Sequence, residues 1–362
     1  MIILCIFVVE KNGVSAYNCF IVSVAPFFKE KERFMDIGID LGTSNVLVYV
    51  KGRGVVINQP SVVAYEKASK RIIAIGNKAK RMIGKTPDTI EVVRPLVKGV
   101  VSDYTVTERM LKAFIRSAME KRTGVGRPKI CVCVPSGVTE VERRAVEDAV
   151  YRTGAKSVYV MEEPLAAAIG AAVDIEEAKG NMVVDIGGGT TDIAVISLGG
   201  AVESQSIKAA GDDFDAAMIR YIRRKYNLLI GEQTAEKAKL AVGTVYPRQE
   251  DITYEVKGRD LIKGLPKVIT ISANETIEAF HDTTTHILTA IHGVLETAPP
   301  ELVADISVNG IVLTGGGSLM YGMDKLIKEK TGIDTYVSDK ALEAVALGAG
   351  MSVDMASKKE EA

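Results

Sequence analysis

"NMVVDIGGGTTDIAVISLGG", residues 181–200, reads as two apolar strands interrupted by an acid, three consecutive glycines and two threonines. An Asp-Gly between two strands is ordinary hairpin chemistry, and for one copy that explanation would suffice. The stretch has a companion, however. Residues 36–50, "DIGIDLGTSNVLVYV", follow the same plan: apolar strand, Asp, one apolar residue, Gly, a small or hydroxyl-bearing turn, second apolar strand. This is the mark of an internal duplication, and an aspartate closing the first strand in both copies exceeds what a turn requires. Glycine lets backbone N–H groups approach an anion, the hydroxyls add donors, and an aspartate can hold the water shell of a magnesium ion. Two such hairpins facing each other would grip a polyphosphate from both sides.

A third glycine cluster lies in "NGIVLTGGGSLMYGMDKLIKEKTG", residues 309–332. It is expected to form a strand, a Gly-Gly-Gly-Ser turn and a helix whose positive dipole end points at the turn. Neither a Walker A lysine motif nor a GxGxxG in a βαβ unit is present, so the site is built differently from those.

Between these clusters strands and helices alternate, which predicts an α/β protein. "YTVTERMLKAFIRSAMEK" places Val106, Met110, Leu111, Phe114, Ile115, Ala118 and Met119 on one helical face. "KICVCVPSGVTEVERRAVEDAVYRTG" predicts a strand, a turn, and a helix opened by a Thr139–Glu142 capping box and closed by Gly154. The strand "SVYVMEE" precedes an Ala-rich helix expected to begin at Pro164.

With 362 residues, 47% hydrophobic, 25% charged and a net charge of -1, the chain has room for about two domains and no block of like charge to serve as a nucleic-acid footprint. Nucleic acid is not an expected partner. Four cysteines show neither zinc spacing nor a disulfide framework, which fits a reducing cytosol. His281, His286 and His292 fall on different faces of one helix and read as solvated side chains. Residues 1–34 contain two short apolar runs split by Glu10, Lys11, Asn12 and Gly13, each below the ~20 residues of a membrane span. They read as an atypical extension ahead of a translation start at Met35. If they are expressed, the two runs could dock on a membrane surface.

"DLGTSN" (40–45), "DIGGGTTD" (185–192) and "LTGGGSLMYG" (313–322) resemble, in order and spacing, the phosphate and adenosine motifs of the superfamily of actin, heat-shock chaperones and sugar kinases. "RPLVKGVVSDYTVTERML", "VPSGVTEVERRAV", "EEPLAAAIGAA" and "TAPPELVADI" resemble more narrowly the MreB/Mbl family of bacterial actin homologues, from about Met35 almost to the C-terminus.

That resemblance implies a two-lobed actin-like ATPase fold with duplicated mixed sheets flanked by helices and a central nucleotide cleft. It places lobe I at 35–175, with a small subdomain at about 64–105 and a closing helix at about 340–356, and lobe II at 176–339, with a small subdomain at about 213–275. It implies ATP and Mg2+ as cofactors. Thr43, Ser44 and Asn45 would meet the β- and γ-phosphates, with Gly187, Gly188 and Gly189 opposite, and Asp40 and Asp185 holding hydrated magnesium. Glu236, Lys237, Ala238 and Lys239, within "TAEKAKLAVG", would lie along the adenosine, as would Gly315, Gly316, Gly317 and Ser318. Without the resemblance, Glu236 and Lys239 would read as a solvated salt bridge one helical turn apart. Glu163 takes the position of the water-activating carboxylate and Thr190 that of a catalytic threonine.

The implied function is a slow ATPase of the cytoskeleton. It would polymerise with itself in the cytoplasm at the inner face of the cell membrane, with the cell-wall synthesis and elongation machinery as partner. The alternative in the superfamily is a monomeric ATPase, a chaperone nucleotide domain or a sugar kinase, but no substrate-side base or sugar pocket is legible. Two features depart from the family. The expected membrane-contacting loop, "EKRTGVGRPK", offers only Val125 as an apolar tip, and Asp192 resembles the Mbl-type paralogues where many relatives carry glutamate.

Overall fold

The computed structural model describes residues 36–119 and 126–360, with side chains to residue 353. Residues 1–34 and the tip at Val125 lie outside the described residues. The chain begins with β1 (Asp36–Leu41), β2 (Asn45–Val50) and β3 (Gly54–Pro60). A small unit follows, with β4 (Val63–Glu66), β5 (Ile72–Ile75), α1 (Asn77–Lys80) and β6 (Ile90–Val93), then the short pair β7 (Leu96–Val97) and β8 (Val100–Val101). Helix α2 (Tyr104–Met119), β9 (Lys129–Val134), α3 (Glu140–Tyr151), β10 (Ser157–Glu162) and α4 (Glu163–Gly170) complete this part.

The second part opens with β11 (Asn181–Ile186), β12 (Thr191–Ser197) and β13 (Gly200–Ile207), followed by α5 (Gly211–Tyr226). Next come β14 (Leu228–Leu229), α6 (Glu232–Val242), β15 (Thr253–Asp260), β16 (Pro266–Ser272), α7 (Ala273–Thr297) and α8 (Pro300–Asn309). It ends with β17 (Ile311–Thr314), α9 (Met323–Thr331), β18 (Thr335–Val337) and α10 (Ala344–Glu360).

The duplication extends well beyond the two quoted hairpins. One five-stranded sheet has the order β10-β9-β1-β2-β3 and the other β13-β12-β11-β17-β18. In each, an antiparallel meander (β1-β2-β3; β11-β12-β13) is extended on its first strand by two parallel strands (β9, β10; β17, β18). Both meanders also shift register between their second and third strands, at Val48/Tyr49 and at Val195/Ile196. Three-stranded sheets β5-β4-β6 and β14-β15-β16 accompany the two halves.

Each half has its own core. Ile37, Ile39 and Val48 pack with Met110, Leu111 and Phe114 of α2 in the first, and the Phe214 and Phe280 rings meet edge to face at 5.1 Å in the second. A further cluster joins the halves, with Cys131, Cys133 and Ala166–Ala168 from one and Val183, Ala194 and Ile196 from the other, covered by Val345 and Ala349 of α10.

Local expectations fare unevenly. Of the predicted face of α2, Met110, Leu111, Phe114, Ile115 and Ala118 are buried, with Thr107 added. The capping box is present, Thr139 Oγ1 accepting from Glu142 N–H while Glu142 accepts from Thr139 N–H. Helix α4 starts one residue earlier than expected, at Glu163, with Pro164 inside its first turn. After β17 the glycine turn leads into a 3-10 turn, Gly316–Leu319, and α9 begins only at Met323. The reason is Tyr321, whose carbonyl accepts from Val245 N–H at 3.1 Å and Thr244 Oγ1 at 3.1 Å, holding that segment extended.

Candidate functional site

The two hairpin turns face each other. A Cβ on Gly188 would stand 2.5 Å from Ser44 Cβ, and one on Gly189 would stand 2.5 Å from Thr43 Oγ1. A side chain at either position would have to displace this approach, so Gly188 and Gly189 are a steric requirement, whereas a Cβ on Gly187 would meet only Thr190 O at 3.1 Å. Ser44 Oγ donates to Asp212 Oδ1 at 3.1 Å, across the halves. Thr43 Oγ1 accepts from Gly99 N–H at 2.9 Å. That N–H is presented by the β7–β8 turn, where Lys98 and Gly99 both adopt positive φ, 49° and 77°. From the same turn Lys98 Nζ reaches Asp213 Oδ1 at 3.1 Å and Lys208 O at 3.2 Å. Asn45 diverges, because its amide donates to Asn58 Oδ1 on β3 at 3.0 Å.

Below the turns lies a group of carboxylates. Asp40 is the penultimate residue of β1, its backbone opposite Cys133 of β9, and Asp185 sits at the matching place in β11, opposite Asp192 and Thr314. Desolvation, then repulsion from Asp185, pushes Asp40 up to about 8. Asp185 rises to about 7, driven by burial and the charge of Asp192 against a hydrogen bond from Thr314 Oγ1 at 2.8 Å. Glu163, at the first turn of α4 and only 7% exposed, is held well above the usual carboxylate range by burial and by Asp192, Asp40 and Asp185. Asp192, fully buried, is raised by burial against hydrogen bonds from Ser136, Ser206 and Thr190. The Ser136 bonds are 3.0 Å from N–H and 3.1 Å from Oγ. Acids that repel one another this way favour either protons or a cation.

Among the described residues no group of three or more His, Cys, Asp or Glu is arranged to ligate a metal directly. Hard carboxylate oxygens at Asp40 and Asp185 nevertheless suit a hydrated Mg2+, which they would hold through its water shell. A cation there would offset the burial and the repulsion that raise both groups.

The adenosine-motif residues divide. Gly315, at φ 79°, lies so close to β11 that a Cβ would stand 2.8 Å from Asp185 Oδ1. Gly317 packs on Ile186, Gly316 is exposed, and Ser318 Oγ is consumed by Gly315 O at 2.7 Å. On α6, Glu236 and Lys239 do not pair with each other. Glu236 Oε1 meets Lys80 Nζ at 2.7 Å, while Lys239 Nζ meets Asp215 Oδ1 at 3.0 Å and Gly211 O at 2.8 Å. Lys237 is exposed, and Ala238 is buried in the core, so neither side chain joins the group.

Sequence reading missed the start of α5. Gly211 N–H and Asp212 N–H donate to Gly187 O (3.1 Å) and Gly188 O (2.7 Å), clamping the glycine turn onto that helix. "GDDFD", a glycine followed by acids at the head of an amphipathic helix, was the available signal.

A family model described as MreB/Mbl protein matches residues 34–361. The chain belongs to the MreB/Mbl family. It is 49% identical over 321 residues to the cell shape-determining protein Mbl of Bacillus subtilis, covering 88% of this chain and 96% of that one. It is 48% identical over 324 residues to the cell shape-determining protein MreB of Escherichia coli, covering 88% and 93%. Identity therefore does not separate the two types, whatever Asp192 suggests. Among solved structures, MreB5 of Spiroplasma citri bound to ADP superposes with a TM-score of 0.86 at 39% identity, over 91% of this chain and 99% of that one. The MamK double helical filament, at 23% identity and a TM-score of 0.75 over 88% of this chain and 98% of that one, shares the fold. The fold of this MreB/Mbl chain is thus actin-like, with two lobes about a cleft.

Proposed function

We propose that this MreB/Mbl chain binds ATP with magnesium between its two hairpins, hydrolyses it slowly, and assembles head to tail into filaments. These would lie in the cytoplasm at the inner face of the cell membrane and organise cell-wall synthesis and rod shape. The observation that carries the reading is the pair of duplicated hairpins, glycines against hydroxyls, above the half-buried Asp40 and the buried Glu163 and Asp185. Support comes also from MreB5, solved with ADP and with AMPPNP, and from MamK, solved as a filament.

In this reading lobe I is 35–175 with the closing α10, and lobe II is 176–339. Thr43, Ser44 and Gly187–Gly189 cradle the phosphates, Glu236 and Lys239 lie along the nucleoside, and Gly315–Gly317 back the adenosine. Asp40 and Asp185 would hold, through water, a magnesium ion that when bound would supply neutralisation of charge on the phosphates. Phosphoryl transfer asks the protein mainly for position and electrostatics. Glu163 orients the attacking water and accepts its proton. Thr190, 8% exposed beside Gly99, supports that water.

Assembly needs apolar surface repeated along one axis. The β15–β16 turn offers Ile262 and Leu265, 78% and 61% exposed. Purified protein is expected to pellet with ATP and magnesium and to show filaments by electron microscopy, alone or on lipid vesicles. Protein that stays monomeric at high concentration with ATP or ADP, with and without lipid, would overturn the cytoskeletal reading.

A further inference from the structure

The lobes meet in two chemically different ways. At the base they share an apolar core, Cys131, Cys133 and Ala166 against Val183, Ala194 and Ile196. At the mouth they meet through polar contacts beside a cavity of about 450 Å3 walled by Val62, Ile83, Val92, Arg94 and Glu232. Separating the base would expose apolar surface. Separating the mouth breaks polar contacts, whose groups water can satisfy.

Those contacts come from the first turns of α6. Lys80 Nζ, at the end of α1, meets Glu236 Oε1 at 2.7 Å, with the two side chains 30% and 31% exposed. Gln233 Nε2 donates to Lys80 O at 2.6 Å and to Ile83 O at 3.4 Å, capping carbonyls at and beyond the end of α1. Arg94 reaches Glu232 at 3.5 Å. Lys80 thus offers both its carbonyl and its ammonium to α6, two positions three residues apart.

We propose that Lys80 and Gln233 form a latch that holds the mouth closed over bound nucleotide and sets how long it stays. The latch rests on the nucleotide-binding reading and adds regulation to it. Because Glu236 is both the latch's acceptor and the residue placed along the nucleoside, occupancy of the cleft and closure of its mouth converge on one carboxylate. A latch of this kind acts on the opening step. Breaking it should speed entry and exit together, whereas loss of a direct ligand contact speeds exit alone.

The test uses full-length protein, diluted below its assembly threshold, and ADP carrying a fluorescent group on the ribose, chased with unlabelled ATP in a stopped-flow instrument. A half-exposed ion pair and a side-chain hydrogen bond are each worth a few-fold in an equilibrium constant. Lys80→Ala should therefore raise the release rate by about two- to fivefold, and Gln233→Ala by about two- to tenfold. Association should rise with it, so that the dissociation constant moves less than the release rate. Lys80→Arg keeps the charge and should restore release to within about twofold of the parent. Release at the parent rate in both alanine variants overturns the latch, as does faster release with association unchanged. A parent protein that fails to bind the probe overturns the nucleotide-binding reading itself, and the latch with it.

Discussion

The fold works against the ionisation of Asp40 and Asp185, which rise to about 8 and about 7 from a carboxylate's ordinary 3.8. The folded protein binds protons at these sites more tightly than the unfolded chain does. The associated stability is therefore present below about pH 4 and lost as pH rises through 7 to 8. Metal-free, nucleotide-free protein should melt at progressively lower temperature from about pH 6 to pH 8.5, and magnesium with nucleotide should flatten the decline by balancing both carboxylates. Scanning calorimetry across that range, with and without Mg–ADP, checks this, and a metal-free midpoint that climbs with pH contradicts it. Glu163 sits in the same group, and the proposed function makes it a water activator and not a phosphate ligand. Glu163→Ala should lower hydrolysis by on the order of a hundredfold, roughly 2.7 kcal/mol of barrier, with ATP affinity retained. Asp185→Ala should weaken magnesium-dependent nucleotide binding itself. Phosphate release measured beside nucleotide affinity separates the roles, and parent-rate hydrolysis by Glu163→Ala would remove it from the chemistry.

Between elements, the tightest contact is the crossing of α4 and α10. A Cβ on Gly348 of α10 would stand 2.7 Å from the carbonyl carbon of Ala166, and one on Gly170 of α4 would stand 2.9 Å from Ala344 Cα. Each helix offers a glycine to the other's backbone. Helix propensity alone favours Gly348→Ala by about 1 kcal/mol, whereas overpacking a fitted contact costs about 1–3 kcal/mol. Packing should win, because the obstacle is backbone and cannot rotate away. The variant should lose about 1–2 kcal/mol in urea unfolding at unchanged slope. A variant as stable as its parent would show that the helices can part freely. "EEPLAAAIGAA" announced a small-residue helix. Its partner, some 180 residues away, is a matter of topology that no local pattern carries.

At the level of the whole molecule, the shared cluster around Cys133, Ala167 and Val183 joins the two halves and should make them unfold as one cooperative unit. Neither five-stranded sheet can lose its fold without exposing the other's inner face. Calorimetric and van't Hoff enthalpies of the nucleotide-free protein should therefore agree, as for a single transition. Two resolved transitions would mean that the lobes unfold separately.

The duplicated hairpins, the α/β alternation, the buried face of α2 and the capping box of α3 were legible in the chain because each follows from contacts a few residues apart. Asp40, Asp185 and the three glycine clusters stood out for the same reason, since turn chemistry is written locally. What only the tertiary structure decided is which side chains find one another across the cleft. Glu236 and Lys239, one turn apart, turn to Lys80 and Asp215 instead of to each other. Asn45 leaves the cleft for Asn58, and Asp212 enters it through Ser44. Tyr321 delays α9 because a distant loop at Thr244 and Val245 claims its carbonyl. A polar side chain takes the strongest partner within reach, and reach is set by how the two sheets pack, which the order of residues along the chain does not display.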